Sequence, residues 1–134
     1  TIVDTTTNPV TVLRHGWITQ EAIESIIGPI QIINQKNDII IKSPGMLLRH
    51  YAPSCPMRLS TENPIPGEAL LWFGSEPVPS GFSAVRNLSL HNDLHEAARN
   101  LFAYLHELNN LGASRIATRL VPDHGIGKAI NDKL

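Results

Sequence analysis

One stretch constrains this chain more than any other: Ala69-Leu70-Leu71-Trp72-Phe73, five consecutive apolar residues. Successive strand side chains point to opposite faces, so an unbroken apolar strand needs cover on both sides. That is the pattern of an interior strand in a largely parallel sheet. A second pattern supplies one cover. Leu94, Ala97, Ala98, Leu101, Phe102, Leu105 and Leu108 recur at helical spacing and form one apolar stripe. Asp93 and Glu96 stand at capping-box spacing before it, and Gly112 suits the position after it. Met57–Leu59, Ala84–Leu90 and Arg115–Val121 read as further strands, the last stopped by Pro122. Gly125–Leu134 reads as a final helix with Ile126, Ala129, Ile130 and Leu134 inward. Strands alternating with helices predict an α/β fold over 56–134, a small mostly parallel sheet with flanking helices.

The first 28 residues predict a different unit. Ile2-Val3 and Val10–Leu13 are β-branched runs around the turn-prone Asn8-Pro9, so they read as a hairpin or two neighbouring strands. Thr19 is placed to cap a helix carrying Ile23, Ile26 and Ile27 on one face, and Gly28-Pro29 stops it. So small a unit buries little surface, which suggests the edge of a larger domain. The chain also opens at Thr1 directly into a strand-like run, as a piece of something longer would. Residues 29–55 differ again. Pro29, Pro44, Gly45 and Pro53 interrupt them, leaving one short strand-like run at Asp38–Lys42, and a connection of this length reads as a linker.

Composition narrows the function classes. The 134 residues are 42% hydrophobic and 17% charged, as in globular proteins. The formal net charge is -1, so no overall basic field favours nucleic acid. Cys55 is the lone cysteine, which excludes an internal disulfide. No apolar run has membrane-spanning length and no signal-peptide pattern opens the chain, so the expected location is cytoplasmic, with no membrane partner.

Three segments carry a family resemblance. Thr1-Ile2-Val3-Asp4 with Val12-Leu13-Arg14-His15-Gly16 and Ile18-Thr19 resembles the end of a YrdC-like catalytic domain. Ser43-Pro44-Gly45-Met46 through Arg49-His50-Tyr51-Ala52-Pro53 resembles the linker of the long, two-domain threonylcarbamoyl-AMP synthases. Val121-Pro122-Asp123, Gly125-Ile126-Gly127 and Ile130-Asn131-Asp132 resemble the end of that family's Rossmann-like C-terminal domain. The three occur in family order. The resemblance therefore implies a remnant of the catalytic domain at 1–28, an interdomain linker at 29–55 and a C-terminal accessory domain at 56–134.

What the resemblance implies for the intact protein is an ATP-dependent nucleotidyltransferase. It joins L-threonine, bicarbonate or CO2, and ATP into threonylcarbamoyl-AMP and pyrophosphate, for threonylcarbamoyladenosine formation in tRNA. ATP would be a substrate and Mg2+ would accompany it, with tRNA or tRNA-modification proteins as partners. Arg14 matches the family arginine that contacts ATP, and an arginine beside Gly16 can offer a planar fork to phosphate. Tyr51 matches the linker tyrosine on the nucleotide, with Arg49 and His50 as weaker neighbours. No catalytic residue falls in this stretch, and the threonine-contacting serine is expected just before Thr1. Leu47 and Leu48 stand where the family often has lysine and an aromatic residue, and His15 where proline is common. The stretch alone is thus expected to be inactive. The alternative is a non-catalytic module that gates the active site or binds nucleotide or RNA.

Other constellations read as structural. Gly125-Ile126-Gly127-Lys128 lacks Walker spacing and reads as a strand-to-helix turn. His91 and His95 flank the capping Asp93, off a common helical face, so no metal is expected. Trp72 reads as core, and Trp17 is expected to pack beside the helix after Thr19.

Overall fold

The computed structural model describes residues 1–32 and 55–134. The run at Asp38–Lys42 and the Ser43–Pro53 motif lie outside the described residues. The first unit is a three-stranded sheet with one helix. Strand β1 (Ile2–Asp4) pairs antiparallel with β2 (Thr11–Arg14), so the two runs do form a hairpin. Helix α1 (Gln20–Ile27) follows, and β3 (Gln31–Ile32) returns parallel to β2. The sequence reading missed β3, because two residues give no period. Thr19 caps α1 by accepting from the Ala22 N–H at 3.3 Å, and Gly28 ends it at φ 83°. None of the α1 residues is buried, and Ile26 is 84% exposed. The predicted apolar face of α1 is thus largely uncovered within this chain.

The second unit is wholly parallel. Strands β4 (Met57–Leu59), β5 (Glu68–Trp72), β6 (Val85–Asn87) and β7 (Arg115–Thr118) lie in the order β4-β7-β5-β6. Helices α2 (Leu94–Asn110) and α3 (Gly127–Asn131) complete it. β6 and β7 are shorter than the expected runs Ala84–Leu90 and Arg115–Val121, and α3 is a five-residue helix rather than one reaching Leu134. β5 is interior and all five of its residues are buried. Its odd-numbered face, Ala69 and Leu71 with Phe73 beyond, packs into the main core with Ala97, Leu101, Leu105 and Leu108 of α2 and Ile130 of α3. Its even-numbered face, Leu70 and Trp72, packs with Ala117, Phe82 and Val85. Both helices therefore serve one face, and irregular chain carrying Phe82 covers the other. Arg119 finishes that cover, its guanidinium 4.0 Å from the Trp72 ring centroid.

Three polar devices hold these elements. β5 begins one residue earlier than the apolar run, at Glu68, which is fully buried. Arg58 of β4 reaches across β7 and donates Nε to Glu68 Oε1 at 2.9 Å and Nη2 to Oε2 at 2.7 Å. The Ile65 N–H adds a third donor at 3.0 Å. These bonds, Arg58's above all, hold the Glu68 carboxyl below its ordinary value against the opposing effect of burial. At α2, Asp93 accepts from the N–H groups of His95 and Glu96, at 2.8 and 3.3 Å. Those bonds lower its pKa. Glu96 does not close the capping box directly. It bonds the Ser89 hydroxyl, whose oxygen accepts from Asp93 N–H at 3.0 Å. Third, Cys55, at the end of the expected linker, is buried in the core. Its thiol donates to the Ala113 carbonyl at 3.2 Å, and burial raises its pKa.

Two tests follow from this packing. Leu71→Ala empties a fully buried site and is expected to cost roughly 2–5 kcal/mol in urea denaturation, against about 0.5 kcal/mol or less for exposed Ile26→Ala. The Glu68 carboxyl has a lowered folded pKa, so its ionisation contributes stability above the ordinary glutamate value, about 4.3. That contribution is lost as pH falls through the lowered folded value. Denaturation across acid pH should therefore show a shallower acid loss in Glu68→Gln than in the parent chain.

Candidate functional site

Arg14 is the last residue of β2. Thr11, Val12 and Leu13 are buried, so the strand fixes where the arginine emerges. The chain then turns through His15-Gly16-Trp17. A Cβ on Gly16 would lie 2.3 Å from the Thr1 backbone nitrogen, so the turn packs backbone against backbone where only glycine fits. The Thr1 hydroxyl bonds the Ile18 carbonyl at 2.5 Å and ties β1 to the same turn.

A cavity of about 280 Å³ opens between this turn and the second unit. Arg14, His15, Gly16 and Trp17 form one wall. Opposite them stand Leu101 and Phe102 of α2, then Ile126, Ile130 and Lys133 at the end of the chain. The floor is apolar, and the lining among the described residues includes Arg14 and Lys133, with the Asp132 carboxyl bonded to the His15 backbone beside it. Lys128 ties the two walls, its Nζ 2.6 Å from Gln20 Oε1 and 3.6 Å from Glu21 Oε1. Trp17 meets His95 of α2 edge-on, ring centroids 5.2 Å apart. Trp17 is 60% exposed and its ring reaches α2 of the other unit.

The glycine-rich turn before α3 is structural. Gly125 has φ +52°, and a Cβ on Gly127 would lie 2.0 Å from the Pro122 carbonyl oxygen. The neighbouring family motif has a packing reason too. The Asn131 side chain accepts from the Val121 N–H at 2.9 Å and donates to its carbonyl at 3.0 Å, fastening α3 to the end of the sheet. Gly127→Ala must push the Pro122 backbone away, so it is expected to destabilise by about 1–3 kcal/mol or more in thermal or urea unfolding. Gly125→Asn, which tolerates positive φ, should cost far less.

Of the residues the sequence singled out, Arg14 reaches the cavity. Arg49, His50 and Tyr51 lie outside the described residues. His91 is exposed before α2, and His95 stands on the helix. Among the described residues no three His, Cys, Asp or Glu side chains converge as metal ligands. The expected magnesium therefore finds no site of its own among them, and no step here is routed through it. The sequence reading did not find Lys133 as a lining residue, and it assigned Phe102 to the core stripe. Phe102 lies at the edge of that stripe, half exposed at 50%, and faces the cavity. Among the described residues no helix is long and apolar enough to cross a membrane.

Comparison with known proteins agrees with this architecture. The family profile described as threonylcarbamoyl-AMP synthase, C-terminal domain, matches residues 18–134. A threonylcarbamoyl-AMP synthase of Pyrococcus abyssi is 32% identical over 149 residues, covering 100% of this chain and 44% of that protein. The Bacillus subtilis enzyme is 30% identical over 138 residues, covering 91% of this chain and 40% of its own length. The crystal structure of P. abyssi Sua5 complexed with L-threonine superposes with TM-score 0.75 at 26% identity, over 98% of this chain and 43% of that one. A variant of the same Sua5 with alanine replacing a histidine and the adjoining tyrosine has the same fold, at TM-score 0.72 and 23% identity, over 98% of this chain and 42% of that one. This chain thus spans less than half the length of the relatives it matches. With the profile matching most of its length, the chain belongs to the threonylcarbamoyl-AMP synthase C-terminal domain family.

Proposed function

We propose that this chain is the carboxyl-terminal part of an L-threonylcarbamoyladenylate synthase that serves threonylcarbamoyladenosine formation in tRNA. In this reading, 1–28 closes the catalytic domain, 29–55 links, and 56–134 is the accessory domain. The substrates are L-threonine, bicarbonate or CO2, and ATP. A carboxylate oxygen of the threonine carbamate attacks the α-phosphorus, the bond to the β-phosphate bridging oxygen breaks, and pyrophosphate leaves. Such a reaction rests on positioning and on fixed positive charge at the phosphates. The observation that carries the reading is the match to synthases along the whole chain, with Arg14 held at a strand end above an apolar cavity.

Arg14 supplies the charge-assisted phosphate contact, and Tyr51 lies against the nucleotide from the linker, with Arg49 and His50 beside it. His50-Tyr51 is the one His-Tyr dipeptide in this sequence, and the Sua5 variant replaces a histidine and the adjoining tyrosine. A linker folded over ATP would exclude water and protect the labile carbamate. A second reading, in which the accessory domain gates the active site, is favoured by the Lys128 tie to Gln20, which couples the two units at their junction. The 134-residue chain by itself is expected to release no pyrophosphate from ATP.

Steady-state kinetics of the full-length protein test the assignment. Tyr51→Ala should raise the KM for ATP or lower kcat by roughly tenfold or more, and Arg14→Ala by at least as much. Wild-type kinetics in both variants would reduce the linker to a tether and remove Arg14 from the ATP site.

A further inference from the structure

The apolar core stops short of the junction between the two units. Among the described residues, both apolar clusters are built from 55–134, and no residue of the first unit belongs to either. What ties the units is polar. Lys128 of α3 reaches α1, its Nζ 2.6 Å from Gln20 Oε1 and 3.6 Å from Glu21 Oε1. Asp132, directly after α3, accepts the His15 backbone N–H with its carboxyl. Glu21 returns the contact, its carboxylate accepting the Gly125 N–H in the turn before α3. Beside these bonds lies the cavity of about 280 Å³, where a permanent interface would hold packed side chains.

We infer that the accessory domain is a separable body, docked on the first unit by a reversible polar latch in which Lys128, Glu21 and Asp132 act together. The inference rests on the reading in which that domain gates the active site, and names the contacts that would release it. Three observations select a latch over a fixed joint. Polar, incompletely packed interfaces between domains are those that open, whereas fixed ones are large and apolar. The Lys128–Glu21 pair is partly solvated, with the Glu21 side chain 54% exposed, so salt screens it. The line of weakness also lies at one place. Ile130 sits in the main core and Asn131 bonds both backbone groups of Val121, so α3 stays with the accessory domain when the latch opens.

The contacts are placed to act as one. Lys128 and Asp132 lie four residues apart and emerge on one side of α3. They reach different elements of the first unit, α1 and the turn after β2. A rigid helix cannot leave α1 while keeping that turn, so breaking either contact loosens both. Asp132 holds the main chain one residue after Arg14, so docking also fixes the end of β2 and undocking frees it.

Amide hydrogen exchange of the full-length protein, read by NMR, tests this with each reporter placed away from its mutation. Lys128→Met removes the ammonium without touching His15, and Asp132→Ala removes the acceptor without touching Gly125. Exchange of the His15 amide in Lys128→Met, and of the Gly125 amide in Asp132→Ala, is expected to quicken about fivefold or more, as is exchange of both amides in the parent protein at high salt. The Leu71 amide in β5 should keep its slow rate throughout, which shows that the fold survives. Where a variant loses that protection, the salt response of the parent protein decides alone. Arg86→Met, which breaks the exposed ion pair with Glu107 inside the second unit, should leave both reporters unchanged. Reporters that stay at the parent rate in both latch variants would mean that other contacts join the units, and the latch inference fails by itself. Pyrophosphate release from ATP in the same variants tests the gating reading separately. Quickened reporters with parent kcat and KM would leave the latch standing and remove the gate.

Discussion

The structure depends on burying one strand from two sides. β5 contributes to two separate apolar clusters, one against α2 and α3 and one against Phe82, Val85 and Ala117. A strand so enclosed needs hydrogen-bonded neighbours on both edges, which the order β4-β7-β5-β6 provides. It also fixes the fate of Glu68. Placed at the head of β5, its carboxylate cannot reach water, and Arg58 with the Ile65 amide supplies the bonds that water would have made. The pair joins β4 to β5 across β7, so the charge that burial would penalise becomes a cross-sheet tie.

The remaining geometry follows from where that sheet stops. β7 ends at Thr118, and the chain then passes through Val121 into the glycine turn and α3. Asn131 locks α3 back onto Val121, and Lys128 on the same short helix reaches Gln20 of the first unit. α3 thus links the core of the second unit to the first unit. Anchored to the core by Ile130 and to the hairpin unit by Lys128, it holds one wall of the cavity opposite Arg14. A five-residue helix can do this because its position is set by contacts at both ends rather than by its own length.

Much of this was legible in the sequence, for stated physical reasons. The Ala69–Phe73 run announced an interior parallel strand, and the stripe from Leu94 to Leu108 announced the helix that covers it. Asp93 announced the cap. What escaped were features set by the third dimension. β3 has no pattern because two residues define no period. Glu68 stands just before the apolar run, and its burial depends on Arg58 ten positions earlier arriving from two strands away. Phe102 fits the helical stripe as well as any core residue does. Only its place at the stripe's edge, facing the other unit, makes it a cavity wall. The ring contact of Trp17 with His95 of α2 joins residues 78 positions apart and has no signature in the sequence. The site residues Arg49, His50 and Tyr51 were legible only through the family resemblance, since their types and spacing carry no chemistry by themselves.

The central claim is that burial of β5 from both sides holds the second unit together, and hydrogen exchange of the full-length protein tests it most directly. The account predicts that the amides of 69–72 in β5 exchange at the rate of global unfolding, far slower than those of the uncovered helix α1. Amides of 69–72 exchanging as fast as those of α1 would contradict it.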